Sequence, residues 1–475
     1  MPEQLLNTLN TLTIDESQAS STELFDDNGF DEQACDPLIR LMSLLPDDEN
    51  ELNVGNFESK IDALIDKIDS EINHKIDQVR QNESFKTLEG RYLGLQTVFE
   101  HWKDCGLQNN FSIDVLSAKP EEIIADLDGA PDKKSTHLYQ CYWNRGLGIL
   151  GERPYVALFC DYDFNLSDDQ DAKMLNGLAA LGEHAYMPII SGLSPKLFGV
   201  DDIFQFSTLN VNQLNDIYAD GKRKGYRDMR LSERARFLAL TGPRVFSRKP
   251  HPQETVLADE QGRIISLPTS SGVYPLAIQL ITSLHSSKGN WPHNITTSGG
   301  LSVKQFNPVP LLTDGMQHYD AGPAQVSFPH EICEALAAMG ITPLQNHIQG
   351  GGLFVPFFPA LYQVMKGGDT VQEDMTSTFI VSRIAHELMI RARDWIGSAI
   401  NGEALKKEIE VILGKYRTDD PQHSDKRPLK PESTVEVTGI AGAYQLVFHL
   451  SPHSKLKSIA FYFKLESTPK TTVGE

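Results

Sequence analysis

The sequence predicts a mixed α/β protein: a core with a parallel-containing sheet and long helices, closed by a C-terminal antiparallel β hairpin. Three observations predict it. A strand–helix–strand run occupies residues 154–191, long amphipathic helices flank it, and residues 433–475 switch to period-two alternation. Four segments follow: an acidic N-terminal arm (1–56), an α/β core (57–416), a linker (417–432) and the closing strands (433–475).

The arm holds most of the fourteen Asp/Glu that stand against Arg40 alone before Lys60. Leu5, Leu6, Leu9 and Leu12 recur at helical spacing, and the polar stretch after them has too little apolar material to bury. It reads as a frayed terminus or as an arm that docks on another chain. In the core, Ile61, Leu64, Ile65, Ile68, Ile72, Ile76 and Val79 keep a three-and-four spacing, which predicts an amphipathic helix. A second helix runs through Leu88, Leu95, Val98, Phe99 and Trp102. The run PYVALFCDYDF (154–164) has strand length, and Ser167 with Gln170 forms a capping box for a helix through Met174, Leu178 and Leu181. Tyr186–Ser191 then reads as a second strand. A strand, a helix and a strand at this spacing form a βαβ unit, which requires parallel pairing.

Further helices are expected at Gly272–Leu284, with Pro275 in the first turn, and at Pro329–Met339, ended by Gly340. Two more follow at Thr376–Ile400 and Ala404–Leu413. Pro421, Pro428 and Pro431 in a polar stretch mark the linker. Beyond it Val435 and Val437, then Tyr444, Leu446, Phe448 and Leu450, then Ile459, Phe461, Phe463 and Leu465 alternate, giving two or three short antiparallel strands. A lone hairpin is marginal in water. These strands must therefore fold back on their own core or accept strands from neighbouring copies by β-augmentation.

Charge and composition exclude several classes. Forty-three Lys+Arg against 64 Asp+Glu give −21, which opposes nucleic acid and anionic membrane surfaces. No apolar run reaches the roughly 18–20 residues of a membrane helix. The N-terminus has neither the basic nor the apolar region of a secretory signal. Five cysteines without a CxxC fit unpaired thiols in a reducing cytosol, so a cytoplasmic location is expected. Phosphate-loop, dinucleotide and nucleophile-elbow motifs are absent. His330-Glu331 and His386-Glu387 begin like a zinc helix, but Glu334 and Ile390 stand where the second imidazole would be. No catalytic residue, metal or cofactor is expected. Asp161 and Asp163, at a strand's carboxyl end, are either functional carboxylates or capping and turn residues. Residues 222–249 carry ten Lys/Arg against Asp228 and Glu233, a local +8. This run reads as a solvated face or as a dock for an acidic protein, with Lys222, Arg223, Arg227, Arg230 and Arg234 as the candidate contacts.

Several blocks then carry a family resemblance. FESKIDALIDKIDSEINHKIDQVRQNESFKTLEGRYLGL (57–95) places Phe85, Leu88, Glu89, Gly94 and Leu95, although the family's WRGL reads YLGL here. RPYVALFCDYDF, SPKLFG (194–199), ARFLALTGPRVFSR (235–248), VSRIAHELMIRARDWIGS (381–398) and SPHSKLKSIAFYFKLES follow in order. Together they resemble the large subunit of the type VI secretion contractile sheath (TssC/VipB type).

The resemblance implies a structural part that pairs with a small sheath subunit (TssB/VipA type) and wraps helically around an Hcp tube. It further implies neighbouring copies of itself, a baseplate, and a ClpV-type AAA+ unfoldase that engages the N-terminal region, here Leu5, Leu6 and Leu9. Val435, Val437, Tyr444, Leu446, Phe448, Leu450, Ile459, Phe461 and Phe463 would lie in an intersubunit sheet; the resemblance does not say which helix contacts the tube, and the long helix at 376–400 is the candidate chosen here. The competing readings are a sheath protein of a related contractile injection particle and, in a different class, a cytosolic α/β enzyme.

Overall fold

The computed structural model describes residues 54–130, 132–143, 154–165, 168–198, 200, 209–252, 254–257, 264–288, 291–292, 295–296, 305–306, 322–347, 352–366, 369–395, 401–440, 443–453 and 459–466. Leu5, Leu6 and Leu9 lie outside the described residues. The chain divides into two units, residues 1–76 and 77–475. Helix α1 (Val54–Arg80) supplies the described part of the first unit and runs on into the second.

The second unit is built on a four-stranded sheet. Strands β1 (Leu158–Phe164), β2 (Ile189–Leu193), β3 (Leu238–Gly242) and β4 (Ile341–Pro343) lie side by side in chain order, all parallel. Helices α2 (Glu83–Asp104), α3 (Asp169–Ala185), α4 (Val273–Ser286) and α5 (His330–Ala338) cover it. Period two sorts the strand side chains between the two faces. Ile189, Leu238, Leu240 and Ile341 join Met174, Leu178 and Leu181 of α3 and Leu336 of α5. Ile190 and Ala239 join Ile278 and Ile281 of α4 and Val98 of α2. Burial on both faces is why these strands read as continuous apolar runs rather than as an alternation.

The βαβ unit has the expected order, with two local differences. Asp168 caps α3, its carboxylate accepting the Gln170 N–H at 2.8 Å, whereas Ser167 lies outside the described residues. Tyr186 ends the helix in the left-handed region (φ 48°), so β2 starts at Ile189 and not at Tyr186. On β1 the pairing passes from Cys160↔Ser191 to Asp163↔Gly192 across a bulge. A Cβ at position 192 would sit 2.1 Å from Asp163 Oδ1, so only glycine fits opposite the bulge.

A third cluster closes the chain. Helices α6 (Met375–Trp395) and α7 (Gly402–Gly414) pack with strands β5 (Thr434–Ile440) and β6 (Ala443–Leu450), and β7 (Ile459–Glu466) completes a three-stranded antiparallel sheet. α6 is buried nearly all round, so it is a core helix and offers little surface to a tube. It also carries His386, whose Nε2–H donates to the Ala185 carbonyl at the end of α3, 2.8 Å away. Burial pushes this imidazole down to about 4, which keeps it neutral.

The segment expected to be a linker is a hydrogen-bonded corner. Fully buried Leu429 gives its N–H to the Tyr416 carbonyl and accepts from the Thr418 N–H, both at 2.9 Å. Lys430 N–H donates to Ser451 O and His453 N–H to Pro428 O, each at 2.8 Å. Composition registers the polar and proline-rich character of this segment. It does not register that a single leucine anchors it.

Two outcomes follow from this packing. Phe448→Ala deletes a fully buried ring and should cost about 3–5 kcal/mol. Hydrogen exchange should then show early loss of amide protection in 434–450, and unchanged protection would contradict the packing. Because the His386 pKa is lower in the fold than in the unfolded chain, its stabilisation is complete above pH 6.5. It is lost as the pH falls towards 4, by on the order of 3 kcal/mol. His386→Gln should flatten denaturation midpoints across that interval.

Candidate functional site

The closing sheet gathers most of the residues expected to join subunits. Its register sets Val435 opposite Phe448 and Val437 opposite Leu446. On the other side Phe448 faces Phe461, Leu446 faces Phe463 and Leu450 faces Ile459. Val435, Leu446, Phe448 and Leu450 are buried against Ile384 and Leu388 of α6 and Leu405, Ile409 and Leu413 of α7. Val437 and Tyr444 are half-buried at the margin, and Glu436, Thr438 and Gln445 are exposed. The side chains of Ile459, Phe461 and Phe463 lie outside the described residues. Of the two outcomes open to the strands, folding back on the chain's own core is therefore realised for one face. Among the described residues, however, the outer strands β5 and β7 each pair on one side only. Such edges present unpaired backbone donors and acceptors.

The basic segment does not form one charged surface. Arg230 is fully buried, giving hydrogen bonds to the Leu361 carbonyl at 3.0 Å, the Ala338 carbonyl at 2.9 Å and the Tyr218 hydroxyl. Arg223 is buried on Asp220 at 2.9 Å, and Arg227 donates to the Tyr218 and Asp220 carbonyls. Arg236 forms a two-pronged pair with Glu373, at 2.7 and 3.1 Å. Arg234 is exposed and reaches Glu183 at 2.8 Å. Lys222, Lys224, Arg234 and Lys249 are the members left at the surface. A count along the sequence cannot separate these roles, because the groups that take up Arg230 and Arg236 come from distant segments and those that take up Arg223 and Arg227 are set by the local fold.

The remaining cations of the segment tie the resemblance blocks together. Arg248 bridges Glu89 at 2.7 Å and Glu254 at 2.6 Å. Gly90 and Gly94 let α2 approach closely. An added Cβ would meet the Thr269 carbonyl oxygen at 2.2 Å or the Tyr274 ring at 2.6 Å. Beside them a charged cleft of about 550 Å³ opens at the carboxyl end of β1. Within it Asp163 pairs with Arg244 at 2.5 Å, while Asp161 meets Arg91 and the Tyr274 hydroxyl, both at 3.1 Å. Burial pushes the Asp161 carboxyl up, against the pull of Arg244 and Arg91. The two aspartates thus hold α2 and the 244–270 segment onto β1. The sequence singled out Asp161 and Asp163 as functional carboxylates or capping and turn residues and His386 as the start of a zinc-type helix, but neither the ionic role nor the clamp was visible in it. Among the described residues, no cluster of His, Cys, Asp or Glu is arranged to hold a metal, and no helix is long and apolar enough to cross a membrane.

Comparison with known proteins gives a consistent result. A family model described as "EvpB/VC_A0108, tail sheath N-terminal domain" matches residues 62–352. A second, "EvpB/VC_A0108, tail sheath gpW/gp25-like domain", matches 367–468. This second match takes in α6 and α7 together with the closing strands. The type VI secretion system sheath protein TssC1 of Pseudomonas aeruginosa is 24% identical over 465 residues, covering 92% of this chain and 91% of that protein. Sheath tail proteins of Desulfitobacterium hafniense (10% identity, TM-score 0.30) and Listeria innocua (11%, 0.24) align over 62% of this chain and 60% of theirs. The family models and the curated relative carry the assignment: the chain belongs to the EvpB/VC_A0108 tail sheath family, the TssC/VipB-type sheath proteins of type VI secretion.

Proposed function

We propose that the chain co-assembles with a small sheath subunit of the TssB/VipA type into a helical sheath around an Hcp tube in the bacterial cytoplasm. Starting from a baseplate, this sheath contracts to propel the tube. The observation that supports the reading best is the closing sheet. Its inner face is sealed on α6 and α7, while β5 and β7 keep free edges among the described residues. A strand lent by a neighbouring copy would add to an edge through backbone hydrogen bonds without disturbing the buried face. Copies would then stay joined while their bodies shift. Contraction on this reading draws on a small difference between two subunit packings, summed over the polymer. Leu5, Leu6 and Leu9 are the proposed contact for a ClpV-type unfoldase that recycles the contracted form.

Lys222, Lys224 and Arg234 are proposed as rim contacts for the small subunit. Arg223, Arg227 and Arg230 leave the expected set because their guanidinium groups are used inside the fold, and exposed Lys224 joins it. Exposed charge pairs contribute little singly. Reversing the three together should lower heterodimer yield about threefold at low salt and leave it unchanged at high salt. An unchanged yield at low salt would remove this segment from the interface.

Co-expression with the small subunit, followed by negative-stain microscopy, tests the main reading. Long hollow tubes are expected. A chain that stays monomeric and forms no filament beside its partner would refute it.

A further inference from the structure

Arg417 stands where α7 runs into the pinned corner, and its side chain is only 19% exposed. A guanidinium keeps its charge in any protein, so a shielded one needs an acceptor for each N–H that water no longer reaches. Elsewhere in the fold that need is met. Arg230 donates through Nε, Nη1 and Nη2. Arg248 spreads the same three nitrogens over Glu89, Glu254 and the Lys249 carbonyl. Arg236 sets Nε and Nη2 on the two oxygens of Glu373.

Arg417 is different. Its Nη1 pairs with Glu410 of α7 at 2.7 Å, while Nε and Nη2 are shut off from water and have no acceptor among the described residues. These two nitrogens form the edge with which Arg236 grips a carboxylate. Unmade hydrogen bonds from a buried charged donor are among the costlier defects a fold can carry. The acids that follow Arg417 in the chain do not relieve it. Asp420 accepts from the Gln422 N–H and meets His423 Nδ1, each at 2.9 Å, and Asp419 is exposed.

The defect sits at a joint. Tyr416 and Thr418, on either side of Arg417, hold Leu429 through backbone hydrogen bonds at 2.9 Å, and the Tyr416 hydroxyl reaches Glu387 of α6. From just beyond β6, His453 Nε2 donates to the Thr418 carbonyl at 2.8 Å. A shift of the corner against α7 therefore moves Arg417 relative to α6, α7 and the closing sheet at once.

We infer that Arg417 is a conformational latch: its Nε–Nη2 edge takes a carboxylate in a second packing of the corner, and the unmet edge biases the chain towards leaving the present one. The inference rests on the proposed contraction between two subunit packings and names one residue that sets their difference. The same defect recurs in every copy, so a small bias sums along a polymer.

Two variants separate the latch from a merely structural role. Arg417→Lys keeps a cation for Glu410 and removes the two-pronged edge, whereas Arg417→Met keeps most of the volume and removes every donor. Each is compared with the unaltered chain by thermal melting of the free chain. Co-expression with the small subunit then allows extended and contracted tubes to be counted in electron micrographs. The free chain should melt about 1–2 °C higher with Met and no lower with Lys. Both variants should lower the ratio of contracted to extended tubes about tenfold. If both melt below the unaltered chain, Arg417 stabilises the present packing and the inference is overturned. If tubes of all three contract alike, no second packing uses the edge, and the inference falls while the sheath reading stands. If the unaltered chain forms no tubes, the sheath reading fails and the inference with it.

Discussion

The packing of Val435, Leu446, Phe448 and Leu450 against α6 and α7 is the interaction on which the rest of the assembly argument depends. An antiparallel sheet with one buried face can keep its edges available, because face and edge use different groups. Side chains hold it to the body, while backbone N–H and C=O groups face outward from the outer strands. If the face were loose, added strands would have no fixed platform. If the edges were capped, no strand could be added. The corner at Leu429 strengthens this arrangement by pinning both ends of the sheet's first hairpin to the end of α7 through Tyr416, Thr418 and Ser451.

Charge serves a different purpose from the one its distribution along the chain suggests. A local excess of eight positive charges looks like an external surface, yet Arg230, Arg223, Arg236, Arg244 and Arg248 all work within the fold. Except for Arg223, which pairs with Asp220 three residues away, each guanidinium joins segments far apart in sequence, and two do so between the blocks that carry the family resemblance. Arg248 with Glu89 joins α2 to the strand region after β3, and Arg244 with Asp163 joins that region to the end of β1. The motifs thus read as contacts of a rigid body.

Much of the architecture was legible in the sequence. The three-and-four spacing in α1, the strand–helix–strand run around α3 and the alternation in β5 and β6 each gave the right element, because a periodic apolar pattern survives any tertiary arrangement. Boundaries were less secure. Asp168 caps α3 within a run of polar residues where several could do so, and Tyr186 leaves the helix through a left-handed turn that no propensity foretells. The resemblance named the family at once, and comparison with known proteins bears it out. The assignment of surface residues was less legible, since exposure is not a property of a residue type.

The sequence by itself determined the fold class, the order of the central elements and the family. These follow from local periodicity and from blocks of residues read in order. Only the tertiary structure decided which charges face water, that residues 417–432 form a pinned corner, that α6 is a core helix, and that His386 clamps α3. Each of these depends on a partner distant in the chain: Leu361 for Arg230, Ser451 for Lys430 and Ala185 for His386. Such pairings are set by the path of the backbone through space, and no window of sequence contains both members.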